Sequence, residues 1–366
     1  MDTTVKAPAV SGDQREYLFD NYKVLLILLV VIGHFIEPSN DQNSFLYELK
    51  WGIVAFHMPA FIFISGYFSK RIPSLKKMLC GLVIPYFVYE ILYYLLYTFV
   101  LDKETGFYFT RPKFSLWYLM ALFAWRLFSP LVEQIPGCMI LSVIAGILIG
   151  FTDFGNFLSI PRILFFFPFF LAGKKFDSSS LARLRNRKGY LGALTILGGF
   201  AVFLFTDNYH HRLDQKIFYG RYSYADMDMG SVEGVLVRIG CYLISFLLIY
   251  LFMLVLPTEK KSYSYLGERT MAIYIFHGFV YSCLKYGSSI LTSVESNLEC
   301  LYLLAFCFFL VWFLSRKPFV LFTNKIAHLF FQRCFRSFFF PHDFCQLSGV
   351  GGILDHIIVQ FFDFFL

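Results

Sequence analysis

A chain of 366 residues that is 57% hydrophobic and only 16% charged falls well below the roughly 25% charge of an ordinary soluble domain. A mean hydropathy of +0.60 and 21% aromatic residues, with 48 Phe and 24 Tyr, exclude a water-soluble fold and suit a polytopic membrane protein whose outer surface meets lipid. The net charge of +7 is then first a matter of topology, and nucleic-acid binding is not indicated.

Residues 1–17 are polar and mixed in charge, which predicts no cleavable signal peptide and a first apolar run retained as a membrane anchor. Apolar runs then alternate with short polar or basic connectors, the pattern of an all-α membrane bundle of about ten transmembrane helices. The runs lie near 22–37, 46–68, 79–100, 114–131, 137–151, 158–173, 190–206, 233–256, 270–292 and 298–322. The first and fifth are shorter than the roughly 20 residues a crossing needs. Lys23, Lys70, Arg71, Lys76, Lys77, Arg126, Lys174, Lys175 and most other basic residues fall on the side of the N-terminus. Lys50, Lys103, Arg111, Lys113, Arg212, Lys216 and Arg221 fall opposite, so both termini are expected in the cytoplasm. The outward connector near 207–232 mixes Asp207, Asp214, Asp226 and Asp228 with Tyr209, Tyr219, Tyr222 and Tyr224; it reads equally as a solvated loop or a surface for an acceptor. Gly146 and Gly150 suggest helix packing. Without an internal repeat, the division is a polar segment 1–17, one membrane domain 18–323, and a Phe-rich basic tail 324–366 that suits an interfacial position. The eight Cys are scattered with no C-x-x-C pair, which supports neither a zinc site nor a disulfide scaffold.

Ionisable side chains inside apolar runs are costly, so His34, His57, Glu90, Arg162, Arg238 and His277 are candidates for binding, catalysis or conduction. At a rise of about 1.5 Å per residue, His34 lies about 16 Å beyond Lys23, and His57 about 16 Å before Phe68. Glu90, Arg162 and His277 fall about 12–18 Å from the inner boundary, and Arg238 nearer the outer side. Five such groups in one layer point to a shared polar cavity, although any one alone is as readily a satisfied structural partner. His34 is the best candidate for chemistry, as a general base or a transient acyl carrier. Glu37, three residues on, either orients it or sits at the interface. Lys23 suits an anionic ligand arriving from the cytoplasm, while Arg126, Lys70 and Arg71 read either as topogenic charges or as its partners. His57 and Arg162 suit oxyanion stabilisation, and Ser65 and Trp117 line the cavity or pack the core.

Phe19-Asp20-Asn21-Tyr22-Lys23, a ten-residue spacer and His34, followed by Phe56-His57-Met58-Pro59 and Phe61-Ile62-Phe63-Ile64-Ser65-Gly66-Tyr67-Phe68, resemble the acyltransferase family 3 membrane proteins, in particular the fucose 4-O-acetylase-like branch. Leu116-Trp117-Tyr118-Leu119 with Trp125-Arg126, Pro161-Arg162, the run Phe167 to Gly173, and Tyr265-Leu266-Gly267-Glu268-Arg269-Thr270 through Tyr274 and His277 are similar to later patterns of that branch. The resemblance implies transfer of an acyl group, usually acetyl from acetyl-CoA, to a hydroxyl of a sugar or glycan in a ten-helix domain of a bacterial plasma membrane. It implies that His34 is essential and that Lys23 assists the donor, although the family more often has Arg there. Acetyl-CoA is then a substrate, and neither a bound cofactor nor a metal is expected. The tail has no counterpart in the family pattern. The alternative from the residues alone is a permease using an intramembrane His/Glu/Arg path, for which the paired repeats of many transporters are missing.

Overall fold

The computed structural model describes residues 16–206 and 213–325. The polar segment up to residue 15, Asp207, Tyr209 and Arg212 of the long connector, and the Phe-rich tail beyond residue 325 lie outside the described residues.

All regular structure among the described residues is helical: α1 (Tyr17–Phe35), α2 (Ser44–Val54), α3 (His57–Tyr67), α4 (Leu75–Met78), α5 (Ile84–Leu95), α6 (Trp117–Val132), α7 (Cys138–Leu148), α8 (Ile160–Lys175), α9 (Ser178–Leu184), α10 (Arg187–Thr206), α11 (Ser231–Val255), α12 (Thr270–Gly287) and α13 (Asn297–Leu314). Seven described segments are long and apolar enough to cross a membrane, and α6 and α7 are shorter apolar helices beside them. The chain is therefore an integral membrane protein, as composition requires.

Proline sets the breaks that matter. Pro59 has no N–H to give the Ala55 carbonyl, so the second apolar run divides into α2 and α3 around Ala55 and Phe56. A bare carbonyl at that depth would be costly, and the Ser245 hydroxyl on α11 donates to Ala55 O at 2.6 Å. His57 thereby becomes the first residue of α3, with Nδ1 2.7 Å from Ile53 O. Pro85 acts similarly between α4 and α5, where a π turn, Leu79–Val83, absorbs the missing donor.

Two ends of the bundle are tied by side chains. At the basal end, which holds the start of α1, Asn21 Nδ2 donates to Pro257 O at 2.8 Å and Glu259 O at 2.9 Å, and Ser264 Oγ donates to Asn21 at 2.6 Å. Glu16 accepts from Tyr67 and Ser178, Lys174 meets Glu133, and Arg269 donates to Ser315 O. At the distal end Ser39 Oγ donates to Leu291 O at 2.5 Å and Trp51 Nε1 to Leu213 O at 3.3 Å. Between the two ends, α3 and α8 cross with almost no gap. A Cβ at Gly66 would strike the Phe170 carbonyl, and one at Gly173 the Phe63 carbonyl, so both must be glycine for the backbones to touch. Gly146 and Gly150 are covered by Tyr242 and Tyr224, which bears out their packing reading.

Three boundaries differ from expectation. α1 starts at Tyr17 and reaches 19 residues, so the first run is not short; Lys23 lies within the helix and His34 in its last turn. The second run is two helices for the reason given above. The last run stops at Leu314, after which the chain turns at Ser315 and resumes as helix from Lys317.

Candidate active site

His34 ends α1 in an aromatic collar: ring centroids lie 4.6 Å away for Phe114, 5.5 Å for His277 and 6.0 Å for Tyr281. His57, Lys50 and Lys285 are also close enough to act on it electrostatically. Although enclosed by these groups, the side chain keeps 29% of its surface accessible, so it borders open space. His277 is fully buried. Its Nδ1 sits 3.0 Å from Ile273 O and its Nε2 has no hydrogen-bond partner among the described residues. Since a carbonyl only accepts, His57 and His277 both carry the proton on Nδ1 and turn a bare Nε2 lone pair away from their own helix.

Glu37 follows in the short 3-10 turn Glu37–Ser39, beyond the end of α1. Its Oε2 lies 3.9 Å from His34 Nδ1, too far for a hydrogen bond, and 2.9 Å from Lys50 Nζ. Lys50, on α2, is buried and also donates to Gly33 O at 2.5 Å. One ammonium thus satisfies the exposed carbonyl end of α1, where the helix dipole favours a cation, and fixes the carboxylate beside the imidazole. Burial opposes ionisation of Glu37, but the Lys50 charge and hydrogen bond, helped by Lys285 and Arg221, outweigh it and hold the carboxyl below its ordinary range. Glu37 is therefore an anion held by Lys50 beside His34, on a side chain that keeps 39% of its surface accessible.

Glu90 does not share this cluster. It accepts from the Lys113 backbone N–H at 2.5 Å and faces Lys113 Nζ at 3.5 Å, a buried pair that spends its charge structurally. The expectation of five groups around one cavity reduces to three imidazoles. Glu90 acts on the site indirectly, because Lys113 precedes Phe114, which stands against His34, His277 and Tyr281 with a left-handed φ of 49°. That conformation is unfavourable for a bulky residue and persists where its surroundings hold it. Arg238 is spent on the Gly146 and Tyr222 carbonyls at 3.1 and 3.2 Å.

Ser65 lies basal of His57 on α3 and shares a 2.5 Å hydrogen bond with Tyr118. Tyr118 meets Tyr274 edge-on at 5.7 Å, and Tyr274 lies 6.0 Å from the His277 ring. Continuing basally, Ser69 donates to Ser65 O at 2.7 Å and accepts from Arg126 Nε at 3.0 Å. Lys23 pairs with Asp20 at 2.9 Å and sits over Phe68 at 5.1 Å. Arg71 is exposed in the basal turn between α3 and α4. Trp117 and Arg162 belong together, the guanidinium 4.9 Å from the indole centroid and 3.3 Å from Asn156 Oδ1; Trp117 also stacks on Phe166 at 5.5 Å. The sequence-selected residues thus form a line from basal cations to the imidazoles, with Trp117–Arg162 to one side. Lys50, Phe114, Tyr118 and Tyr281 were missed. An ammonium inside the second apolar run is the signal for Lys50, and the Leu116-Trp117-Tyr118-Leu119 pattern the one for Tyr118; Phe114 and Tyr281 carry none.

The large groove of about 590 Å³ lined by Tyr89, Leu92, Phe99, Phe276, Phe279 and Phe322 touches none of these groups and is almost wholly apolar, which suits contact with lipid chains. No group of three or more His, Cys, Asp or Glu side chains among the described residues is arranged to hold a metal.

The model of a family described as an acyltransferase domain, acyltransferase family 3, matches residues 16–316. The chain belongs to this family. Residues 16–316 are accordingly an acyltransferase-type domain within a membrane-embedded helical chain, which favours acyl transfer over the permease reading. The chain is also similar to the nodulation protein NolL of Sinorhizobium fredii, 38% identical over 64 residues. That match spans 17% of this chain and 18% of NolL. No solved structure matches the acyltransferase.

Proposed function

We propose that this acyltransferase moves an acetyl group from acetyl-CoA to a hydroxyl of a sugar or cell-surface glycan, with His34 as general base or acyl carrier. The observation that carries this reading is an accessible imidazole, faced on one side at 3.9 Å by the Lys50-held Glu37 carboxylate, at the distal end of a polar line that begins among basal cations.

The phosphate-bearing donor enters from the basal side, where Lys23, Arg71 and Arg126 suit its charge, and its thioester reaches inward past Ser65 and Tyr118. Glu37 favours a proton on His34 Nδ1, leaving Nε2 as the base. Nε2 takes the acceptor hydroxyl proton as the oxygen attacks the thioester carbonyl; the C–S bond breaks, and the imidazolium returns the proton to the departing thiolate. In the acyl-carrier route Nε2 itself attacks the thioester carbonyl and the coenzyme A thiolate leaves; the acceptor oxygen then attacks the acyl-imidazole, the C–N bond breaks to free the imidazole, and the hydroxyl proton ends on the thiolate. Of the two expected oxyanion donors, His57 has its N–H committed to Ile53 O and presents only a lone pair, so the role falls to Arg162; one such donor is worth on the order of 3 kcal/mol in a dry site.

The alternation of ties between basal and distal ends supports about ten traverses with both ends of the described chain on the basal, cytoplasmic side of a bacterial plasma membrane. Residues 18–323 are then the catalytic membrane domain, flanked by the polar segment and an interfacial tail. Mass analysis of surface glycans with and without the protein tests the reaction. A gain of one acetyl unit per modified sugar is expected; identical glycan masses contradict it.

A further inference from the structure

Around the distal side of His34, positive charge exceeds negative. The charges of Lys50, Lys285 and Arg221 all act on Glu37, and that of Arg221 also acts on Arg162. Lys50 is neutralised by Glu37, whereas neither arginine has a carboxylate within ion-pair distance among the described residues. Asp214, the other nearby acid, is mostly exposed and taken by Lys216 at 3.0 Å. Arg221 lies flat on Tyr222 at 4.4 Å and donates to its hydroxyl, yet its Nε is buried with no hydrogen-bond partner among the described residues. Arg162 lies on Trp117 with Asn156 as its one hydrogen-bond acceptor among the described residues. Two half-buried guanidiniums in mutual repulsion, each held by an aromatic face and each with N–H groups to spare, form a site short of one anion.

This site continues directly from the imidazole. Lys50, which holds Glu37, sits 5.8 Å from the Tyr219 ring, and Tyr219 lies 6.2 Å from Tyr222. Aromatic faces interleaved with guanidiniums suit a sugar ring that carries a negative group. The basal cations assigned to the donor lie at the opposite end of the Ser65–Tyr118 line.

We infer that Arg162 and Arg221 form the acceptor subsite, and that the acceptor is an anionic glycan whose carboxylate or phosphate ester lies near the hydroxyl that receives the acyl group. This rests on the acyl-transfer reading above, and its test is binding, which needs no turnover. The detergent-solubilised full chain is heated at low salt with an oligogalacturonide, its carboxyl-reduced neutral counterpart, a phosphorylated oligomannoside, its dephosphorylated counterpart, inorganic phosphate, or coenzyme A. A ligand that binds the folded state raises the unfolding midpoint in proportion to its affinity. At least one anionic glycan is expected to bind about tenfold more tightly than its neutral counterpart, the scale of a charge-assisted contact. R162Q and R221Q should each lose that advantage, R162K/R221K should recover part of it, and H34A should keep it while losing transfer. Unliganded midpoints near wild type establish that the variants fold. Equal binding of charged and neutral forms, full retention in R162Q/R221Q, or equal effect of inorganic phosphate overturns the inference. So does coenzyme A protection that disappears in R162Q/R221Q, which assigns the arginines to the donor. If transfer to every glycan fails while the anion-dependent shift persists, the acyl-transfer reading falls and the subsite stands.

Discussion

Replacing Lys50 by Met isolates the arrangement on which the geometry of the site depends. Lys50 Nζ makes two charge-assisted hydrogen bonds, to Gly33 O at 2.5 Å and to Glu37 Oε2 at 2.9 Å, from a side chain only 4% exposed. At about 1.5–3 kcal/mol for each such bond the gross loss is about 3–6 kcal/mol. Glu37 is 39% exposed and is partly rehydrated once its partner leaves, so most of its share returns and the expected cost is about 2–4 kcal/mol. Removing both partners in K50M/E37M relieves the stranded carboxylate, so the double variant should be more stable than the sum of the single losses. Unfolding midpoints of the four proteins in one detergent, together with acyl-transfer rates, close the cycle. Transfer should fall at least about tenfold in K50M even where the protein folds, because the carboxylate beside His34 is no longer fixed. Wild-type stability and rate in K50M, or strictly additive losses in the double variant, would refute the reasoning.

Other consequences are equally direct. Because the Glu37 carboxyl is held below its usual value of 4.5, its tie to Lys50 contributes fully above that pH and is lost as pH falls through the lower folded value. E37Q should therefore flatten the acid-side decline in unfolding midpoint; an unchanged decline removes Glu37 as its source. G66A forces a methyl against the Phe170 carbonyl and should cost about 1–3 kcal/mol by overpacking, read as a lower midpoint and reduced yield from membranes; tolerance at wild-type level would mean the α3–α8 crossing is looser than described. K23A should raise the acetyl-CoA concentration needed for half-maximal transfer with little change in the maximal rate, and an unchanged donor titration removes Lys23 from the donor path.

Much of this organisation was legible because lipid imposes a severe rule: every buried charge and every bare carbonyl must have an answer. That rule selected His34, His57 and His277 from the apolar runs, and the structure brings them together at the end of α1. Pro59 gave notice of the break before His57, although Ser245, which repairs it from α11, is an ordinary serine in sequence. Lys50 was read as a topological charge because it lies near the start of its run; its role depends on the end of α1 returning beside α2, which spacing does not reveal. Glu90 was grouped with the imidazoles by depth alone, since depth along a helix says nothing of which face a side chain takes, and Lys113 claimed it. Phe114 and Arg221 lie in connectors, where no periodicity fixes direction, and only the folded chain brings them to the site.

The central claim is that the His34 imidazole performs the transfer. The most direct measurement is radiolabelled acetyl transfer from acetyl-CoA to glycan in membranes carrying equal amounts of wild-type protein and the His34→Ala variant. Wild-type membranes should label the glycan and variant membranes should not; equal labelling in both would contradict the account.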